Sequence, residues 1–339
     1  MIYKPSDHPQ INNNKIGILL VNLGTPKNTD IKSIKLYLRE FLSDRRVIDV
    51  PRILWWVILN LIILNTRPKK TAAAYKKIWL ENDKDGSPLR KITRLQSEKL
   101  SKLLKNKNII TDYAMRYGEP SINNKLTELH RKGCDKIIAL SLYPQYSGPT
   151  TATVNDEICK WMIKQKWQPS IRIAPPYFDS PEYIEAISKS ILKSFKENGR
   201  PDVLLLSFHG APKRYLMEGD PYHCQCAKTG RLIKEYLKLE DKNFMISFQS
   251  RFGSEPWLQP YTDETLEKLG NKKVKHLAIA TPGFSADNIE TLEEINIEGR
   301  ETFINSGGKK FTFIPCLNDS AYGMNLLYKL ALKELRSWL

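Results

Sequence analysis

Residues 16–26 read IGILLVNLGTP and residues 203–212 read VLLLSFHGAP. Each is a short run of apolar residues that ends in a loop with a Gly-x-Pro step, at Gly24/Pro26 and Gly210/Pro212. MRYGEP (115–120) is echoed by SRFGSEP (250–256), each after a short apolar-alternating run. IIALSLYPQYS (137–147) is echoed by HLAIATPGFS (276–285). Three motif pairs in the same order mark an internal duplication. Continuous apolar runs of this length are the pattern of parallel strands covered on both faces. Helical stretches separate them at 92–104, 123–132, 181–196, 232–239 and 289–303. The alternation predicts an α/β protein of two Rossmann-like, doubly wound parallel-sheet halves with the active cleft between them. The expected division is 1–172, 173–315 and a terminal segment 316–339 packed back on the body, with the seam in the proline-broken stretch 167–176.

Composition narrows the function. The chain has 339 residues, 41% hydrophobic and 27% charged, which excludes disorder and collagen-like structure. A formal charge of +16 favours an anionic partner: nucleic acid, an acidic lipid surface or a carboxylate-bearing substrate. The basic residues are scattered over helices rather than gathered beside exposed aromatics, so nucleic acid is not expected. Five cysteines, and a polar stretch Met1–Asn14 without an apolar core, predict free thiols and a cytoplasmic setting.

The duplication also exposes an insertion. Gly24 and Gly118 stand 94 positions apart, whereas Gly210 and Gly253 stand 43 apart. The extra chain falls at about 31–90 and contains ILWWVILNLIIL (53–64). That run is shorter than the roughly 20 residues a spanning helix needs. It is bounded by Pro51 and Arg52 on one side and by Asn65 to Lys70 on the other. A buried core helix and an exposed apolar lip both fit its composition. Because an insertion is not needed to complete a repeated scaffold, the lip is favoured. Trp55, Trp56 and Ile58 would then meet a membrane or cover a flat apolar ligand.

In open parallel sheets ligands bind beyond the carboxyl ends of the strands. The two copies differ there. Where the first half has Leu23 the second has His209, and where the first has YSGPTTATV the second has SADNIETLEEI. Asp287, Glu290, Glu294 and Glu298 recur at helical spacing, a row of hard oxygen donors suited to passing a divalent cation or taking up its protons. Acids near a helix N-terminus are also favoured by the dipole, which accounts for Asp287 and Glu290 better than for the like charges that follow. Sequences for a nucleophile elbow, a phosphate-binding loop, a dinucleotide fingerprint or a zincin are absent. YHCQC (222–226) lacks a second cysteine pair and reads as structural.

Taken together, LLVNLGTP, FLSDRRVIDVP (41–51), MRYGEP, YPQYS, SFHGAP, GDPYHCQC (219–226), SFQSRFGSEPWLQP (247–260) and PGFSADNIETLEEI (282–295) resemble the ferrochelatase family. The resemblance spans nearly the whole chain. It implies insertion of ferrous iron into a porphyrin bound in the cleft between the halves, with protoporphyrin IX and Fe²⁺ as substrates and protohaem as product. Within it His209 corresponds to the active-site histidine and Glu290 to the metal-site glutamate, with Asp287, Glu294 and Glu298 as an acidic conduit. Leu23, Ser87, Arg116, Tyr117 and Trp257 correspond to porphyrin-facing positions, and Arg67 to a base near the propionates. NLGTP, rather than AYGTP, resembles the protoporphyrin-using branch. Asn288 stands where some members carry a second histidine. Gly148 stands where cluster-containing members have a cysteine, and their cysteine-bearing tail has no counterpart. No iron–sulfur cluster and no permanently bound cofactor are therefore expected, nor is anything beyond peripheral contact with an anionic inner membrane face.

The residue types suit that chemistry. Metalation removes two pyrrole protons, and an imidazole accepts protons near neutrality. A pocket that holds the macrocycle bent exposes its nitrogen lone pairs. A chelatase loading cobalt or nickel into another tetrapyrrole, and a non-catalytic porphyrin or haem carrier, are the competing readings; the carrier has no need of the acidic row. All versions that include catalysis require His209 and the acids to look into a crevice wide enough for a planar ring.

Overall fold

The computed structural model of the chain describes residues 14–338 and, ahead of them, Asp7. Most of the polar stretch 1–14 and the final Leu339 lie outside the described residues.

Eight strands form two four-stranded parallel sheets. The first holds β1 (Lys15–Gly24), β2 (Ile109–Tyr117), β3 (Cys134–Ser141) and β4 (Ser170–Ile173), in the order β2-β1-β3-β4. The second holds β5 (Val203–His209), β6 (Phe244–Gln249), β7 (His276–Ala280) and β8 (Lys310–Ile314), in the order β6-β5-β7-β8. The spatial order is the same in both sheets, so the duplication seen in the motifs is a duplication of topology. Ile18, Leu19, Leu20 and Val21 of β1 are fully buried in sequence, as are Leu205, Leu206 and Ser207 of β5, because helices cover both faces.

Strand registers refine the repeat. Asn22 pairs with Met115 in the first sheet and Phe208 with Phe248 in the second, which equates Leu23 with His209 and Gly24 with Gly210. Met115 N–H donates to the Pro120 carbonyl, and Phe248 N–H donates to the Pro260 carbonyl. The counterpart of Pro120 is thus Pro260, not Pro256 as the MRYGEP–SRFGSEP pairing implied. SRFGSEP belongs to a longer loop that the second half inserts between β6 and the helix Thr262–Asn271.

The repeated glycine has a steric cause. A Cβ on Gly24, whose φ is +119°, would stand 1.8 Å from the Tyr117 carbonyl oxygen; one on Gly210 would stand 2.6 Å from that of Gln249. Each strand end passes too close to its neighbour for any side chain.

Helix starts are set locally. Asp30 caps Ile31–Leu42 by accepting from Ser33 N–H at 2.9 Å, and Ser121, Ser180 and Ser320 cap Ile122–Arg131, Pro181–Asn198 and Ala321–Leu335 in the same way. The last of these packs against Pro88–Leu104 and Pro181–Asn198. One apolar core runs through residues of both sheets, including Leu20, Leu140, Leu206 and Ala280, so the halves are fused rather than tethered.

The greasy segment is a surface helix. It winds as α over Arg52–Val57, as π over Ile58–Ile63 and as α again over Leu64–Ile78, passing through Pro68 instead of stopping at Asn65. Asn65 and Thr66 side chains donate to the carbonyls of Leu61 and Ile62 at 3.0 and 2.8 Å, capturing acceptors that the change of winding loosens. Ile53 is 85% exposed, Trp56 64% and Leu61 65%, while Leu59 and Leu64 anchor the inner side. Trp55 is half-buried, its indole N–H donating to the Leu42 carbonyl at 2.6 Å; Ile58 is half-buried as well.

Candidate active site

His209 is the last residue of β5. Its Nδ1 lies 2.7 Å from the Gly210 carbonyl oxygen. A carbonyl can only accept, so Nδ1 carries the hydrogen and the neutral ring keeps its lone pair on Nε2. The Tyr222 hydroxyl donates to the His209 carbonyl at 2.9 Å and steadies the strand end. Trp257 packs against Gly210 and is buried, and its indole N–H has no hydrogen-bond partner among the described residues.

The acids sit on Glu290–Gly299, which winds as a π-helix. Bonding from i to i+5 widens each turn, and this brings residues four apart closer to one line than an α-helix does. Glu290, Glu294 and Glu298 form that line. Burial pushes the Glu290 carboxyl above the ordinary carboxylate range, the positive charge that His209 carries when protonated pulls it back, and Glu294 adds to the rise. Glu294 is pinned by the loop after β6: Ser250 N–H donates to Oε1 at 2.7 Å, and the Ser250 hydroxyl and Gln249 Nε2 donate to Oε2. Gln249 Nε2 also donates to the Glu290 carbonyl at 3.0 Å. Glu294 and Glu298, with Lys70, Ser250, Arg251 and Asp263, line a recess of about 390 Å³. Burial and neighbouring Glu293 raise the Glu298 carboxyl.

Asp287 has a different place. Its carboxylate is buried and accepts from Thr291 Oγ1, Cys316 N–H and Asn318 Nδ2 at 3.1, 3.1 and 2.7 Å, which ties the start of the acidic segment to the loop after β8. Neighbouring Asn288 closes a turn with Thr291 through reciprocal bonds of 3.0 Å.

The positions expected to face a ring are mostly covered. Ser87, Tyr117, Trp257 and Arg116 are 1%, 0%, 5% and 9% exposed, Leu23 is half-buried, and Arg67 alone is open. For Arg116 and Tyr117 the cause is Asp44, from the insertion. It takes an ion pair from the Arg116 guanidinium and a hydrogen bond from the Tyr117 hydroxyl at 3.0 Å, while Arg116 Nε donates to the Thr153 carbonyl at 3.0 Å. Ser87 is occupied by the Thr25 hydroxyl at 2.9 Å. These expected ring contacts are therefore engaged within the protein itself. Arg67 lies over the Phe252 ring at 5.3 Å, Phe252 packs tilted against Trp257 with ring centroids 5.0 Å apart, and the lip's own core takes in Tyr117, Leu23 and Ile289.

Sequence reading passed over several groups gathered here. The buried phenols of Tyr37, Tyr75 and Tyr143 feel the charge of Glu290, and burial raises all three. Glu293, buried on the acidic helix, pairs with Lys77 of the lip at 2.6 Å. Its signal was present in the sequence: an i, i+5 partner of Glu298 is a neighbour only in the wider π winding. Asp44, Tyr143 and Phe252 lay inside motifs already noted; nothing in one sequence pointed to Tyr75.

Comparison with known proteins identifies the family and the fold. The family description "Ferrochelatase" matches residues 15–335. The ferrochelatase of Allorhizobium ampelinum is 52% identical over 336 residues, 98% of this chain and 97% of that one, and that of Agrobacterium fabrum is 50% identical with the same coverage. Among solved structures, SirB of Bacillus subtilis with Fe³⁺ gives a TM-score of 0.53 at 11% identity, covering 94% of this chain and 95% of that one. The sirohydrochlorin chelatase SirB of Bacillus subtilis subspecies spizizenii in complex with cobalt gives 0.52 at 11%, covering 96% and 97%. These distant likenesses show the chelatase-type fold, and the near ones show the enzyme: by sequence along almost its entire length, the chain belongs to the ferrochelatase family.

Proposed function

We propose that this metal chelatase inserts Fe²⁺ into protoporphyrin IX, giving protohaem and two protons, with His209 and Glu290 on either side of the exchange. The observation that carries the reading is the tautomer lock on His209, which leaves Nε2 free to accept beside a half-buried carboxyl. In the proposed sequence the lip lifts, the ring enters, and Arg67 leaves Phe252 for a propionate. His209 Nε2 accepts a pyrrole proton. Glu290, Glu294 and Glu298 move the metal in or the second proton out. Each nitrogen that loses its proton becomes a donor to the incoming ion, so charge balances as one divalent cation replaces two protons.

Iron is substrate here, not a resident ion. Among the described residues no three His, Cys, Asp or Glu side chains converge as a ready metal-holding group. The reading includes no iron–sulfur cluster: at Gly148 the backbone N–H donates to Asp220 at 2.8 Å, where a cluster ligand would be needed.

The reading also has the lip resting on an anionic membrane from the cytoplasmic side. No helix among the described residues is long and apolar enough to cross one. Ile53, Trp56, Leu61 and Ile62 are exposed beside Arg52, Arg67, Lys69 and Lys70, the pairing of apolar and basic groups that interfacial segments use.

The test is an anaerobic assay of purified enzyme with protoporphyrin IX and Fe²⁺, followed by the Soret shift, with His209→Ala and Glu290→Gln beside it. Loss of turnover in both, with porphyrin binding retained, is the expected result. Wild-type rates in both variants would remove the assignment.

A further inference from the structure

The lip helix Leu64–Ile78 lies directly against the acidic helix Glu290–Gly299. Two kinds of contact join them. Ile289 packs into the same apolar cluster as Leu64, Tyr75 and Ile78, and Lys77 Nζ lies 2.6 Å from Glu293 Oε1. The side chain of Glu293 is 9% exposed, and Lys77 is its sole cationic partner among the described residues. A carboxylate placed this deep, one residue before Glu294, has a single cationic tether, and the tether comes from the lip, the element that moves in the proposed sequence when a ring enters.

The helix it holds is of the wide type, whose backbone bonding alone is rarely sustained over long runs. Lateral support therefore bears on where its side chains stand. We propose that Lys77 and Glu293 are a positioning pair for metalation: together they fasten the lip helix to the acidic helix and set the position of Glu290 and Glu294 relative to a ring bound beneath the lip. Neither residue touches the reacting atoms. Their effect passes through the helix that carries Glu290, so a shift of the lip on ring binding becomes a shift of the metal-side carboxylates. This inference rests on the reading of the acidic row given above.

Lys77→Met and Glu293→Met test it, with Lys77→Arg as the conservative variant, the charge-reversed double variant Lys77→Glu/Glu293→Lys, and Glu290→Gln run in parallel. Each is assayed for Fe²⁺ and Zn²⁺ insertion, for metal KM and kcat separately, and for protoporphyrin affinity by fluorescence quenching. Misplacing a reacting group by a fraction of its working distance costs on the order of tenfold or more, so the two Met variants are expected to lose about that factor in kcat over metal KM. Porphyrin affinity should stay within twofold of wild type in both variants. Lys77→Arg should retain most of the activity, and the reversed pair should recover most of what the single changes lose. Singles that match wild type, a Lys77→Arg as poor as Lys77→Met, or a reversed pair no better than the worse single change would each overturn the pairing. A Glu290→Gln that matches wild type would instead overturn the underlying site reading, whatever the pair does.

Discussion

Ser250 N–H meets Glu294 Oε1 at 2.7 Å, from a backbone whose φ is +64°. A non-glycine residue in the left-handed region is uncommon, and here it turns the β6 loop so that three donors converge on one carboxylate. The acidic helix is thus braced from the sheet side by Ser250 and Gln249, and from the lip side by Lys77.

Glu294→Ala should leave those donors short of an acceptor. The loss is expected at about 1–3 kcal/mol of folding free energy, read from urea unfolding followed by tryptophan fluorescence. A change below a few tenths would mean water replaces the carboxylate without cost.

Arg116 and Asp44 are a more deeply enclosed pair, with side chains 8% and 13% exposed. Arg116→Leu strands the Asp44 charge, and removing one partner of a buried pair costs about 3–5 kcal/mol. Tyr117→Phe removes only one of the donors to Asp44 and should cost about 1 kcal/mol. Equal, small losses would return Arg116 to the role of an open ring contact.

Glu290 links folding to pH. Its folded pKa is raised by burial above the ordinary carboxylate value of 4.5. The stability that Glu290 contributes is therefore greatest below that unfolded value, where the group is protonated in both states, and is lost as pH rises through the raised folded value. Glu290→Gln has no such charge to bury. Its stability relative to wild type should climb from pH 4.5 upward and level off above the folded pKa, measured by denaturant melts across pH 4 to 8. A flat difference would show that the carboxyl titrates normally.

Gly24→Ala should give no folded protein, because the new Cβ would stand 1.8 Å from a backbone oxygen at φ +119°. Soluble, cooperative Gly24→Ala would require the β1–β2 register to be other than described.

At the lip, Trp56→Ser together with Leu61→Ser removes two residues that are 64% and 65% exposed, so folding should be little changed. Sedimentation with anionic vesicles should fall severalfold relative to wild type, as each buried apolar side chain contributes about 1.5–3 kcal/mol. Unchanged sedimentation would leave the lip a cover for the ring alone.

Much of this was legible in one dimension. Buried parallel strands announce themselves as unbroken apolar runs, so the halves, their order and the equivalence of Leu23 with His209 could be read directly. His209 stood out because the copies differ there. The register of the second MRYGEP-like loop was not legible, because Gly and Pro recur in any tight loop and only the hydrogen bonds of Met115 and Phe248 distinguish Pro260 from Pro256. Spacing showed that Glu290, Glu294 and Glu298 share a face, but an α-helical reading of it could not place Glu293 beside Glu298.

The amino-acid order by itself determined what is set by neighbours along the chain: strand and helix periodicity, the capping residues and the greasy insertion. The tertiary structure decided what depends on groups far apart in sequence. Asp44 covers Arg116 and Tyr117, Phe252 holds Arg67, and Lys77 reaches Glu293 across 216 positions. Those pairings settle whether a side chain faces a ligand or the protein, since a charge withdrawn from water must find its partner wherever the fold brings one.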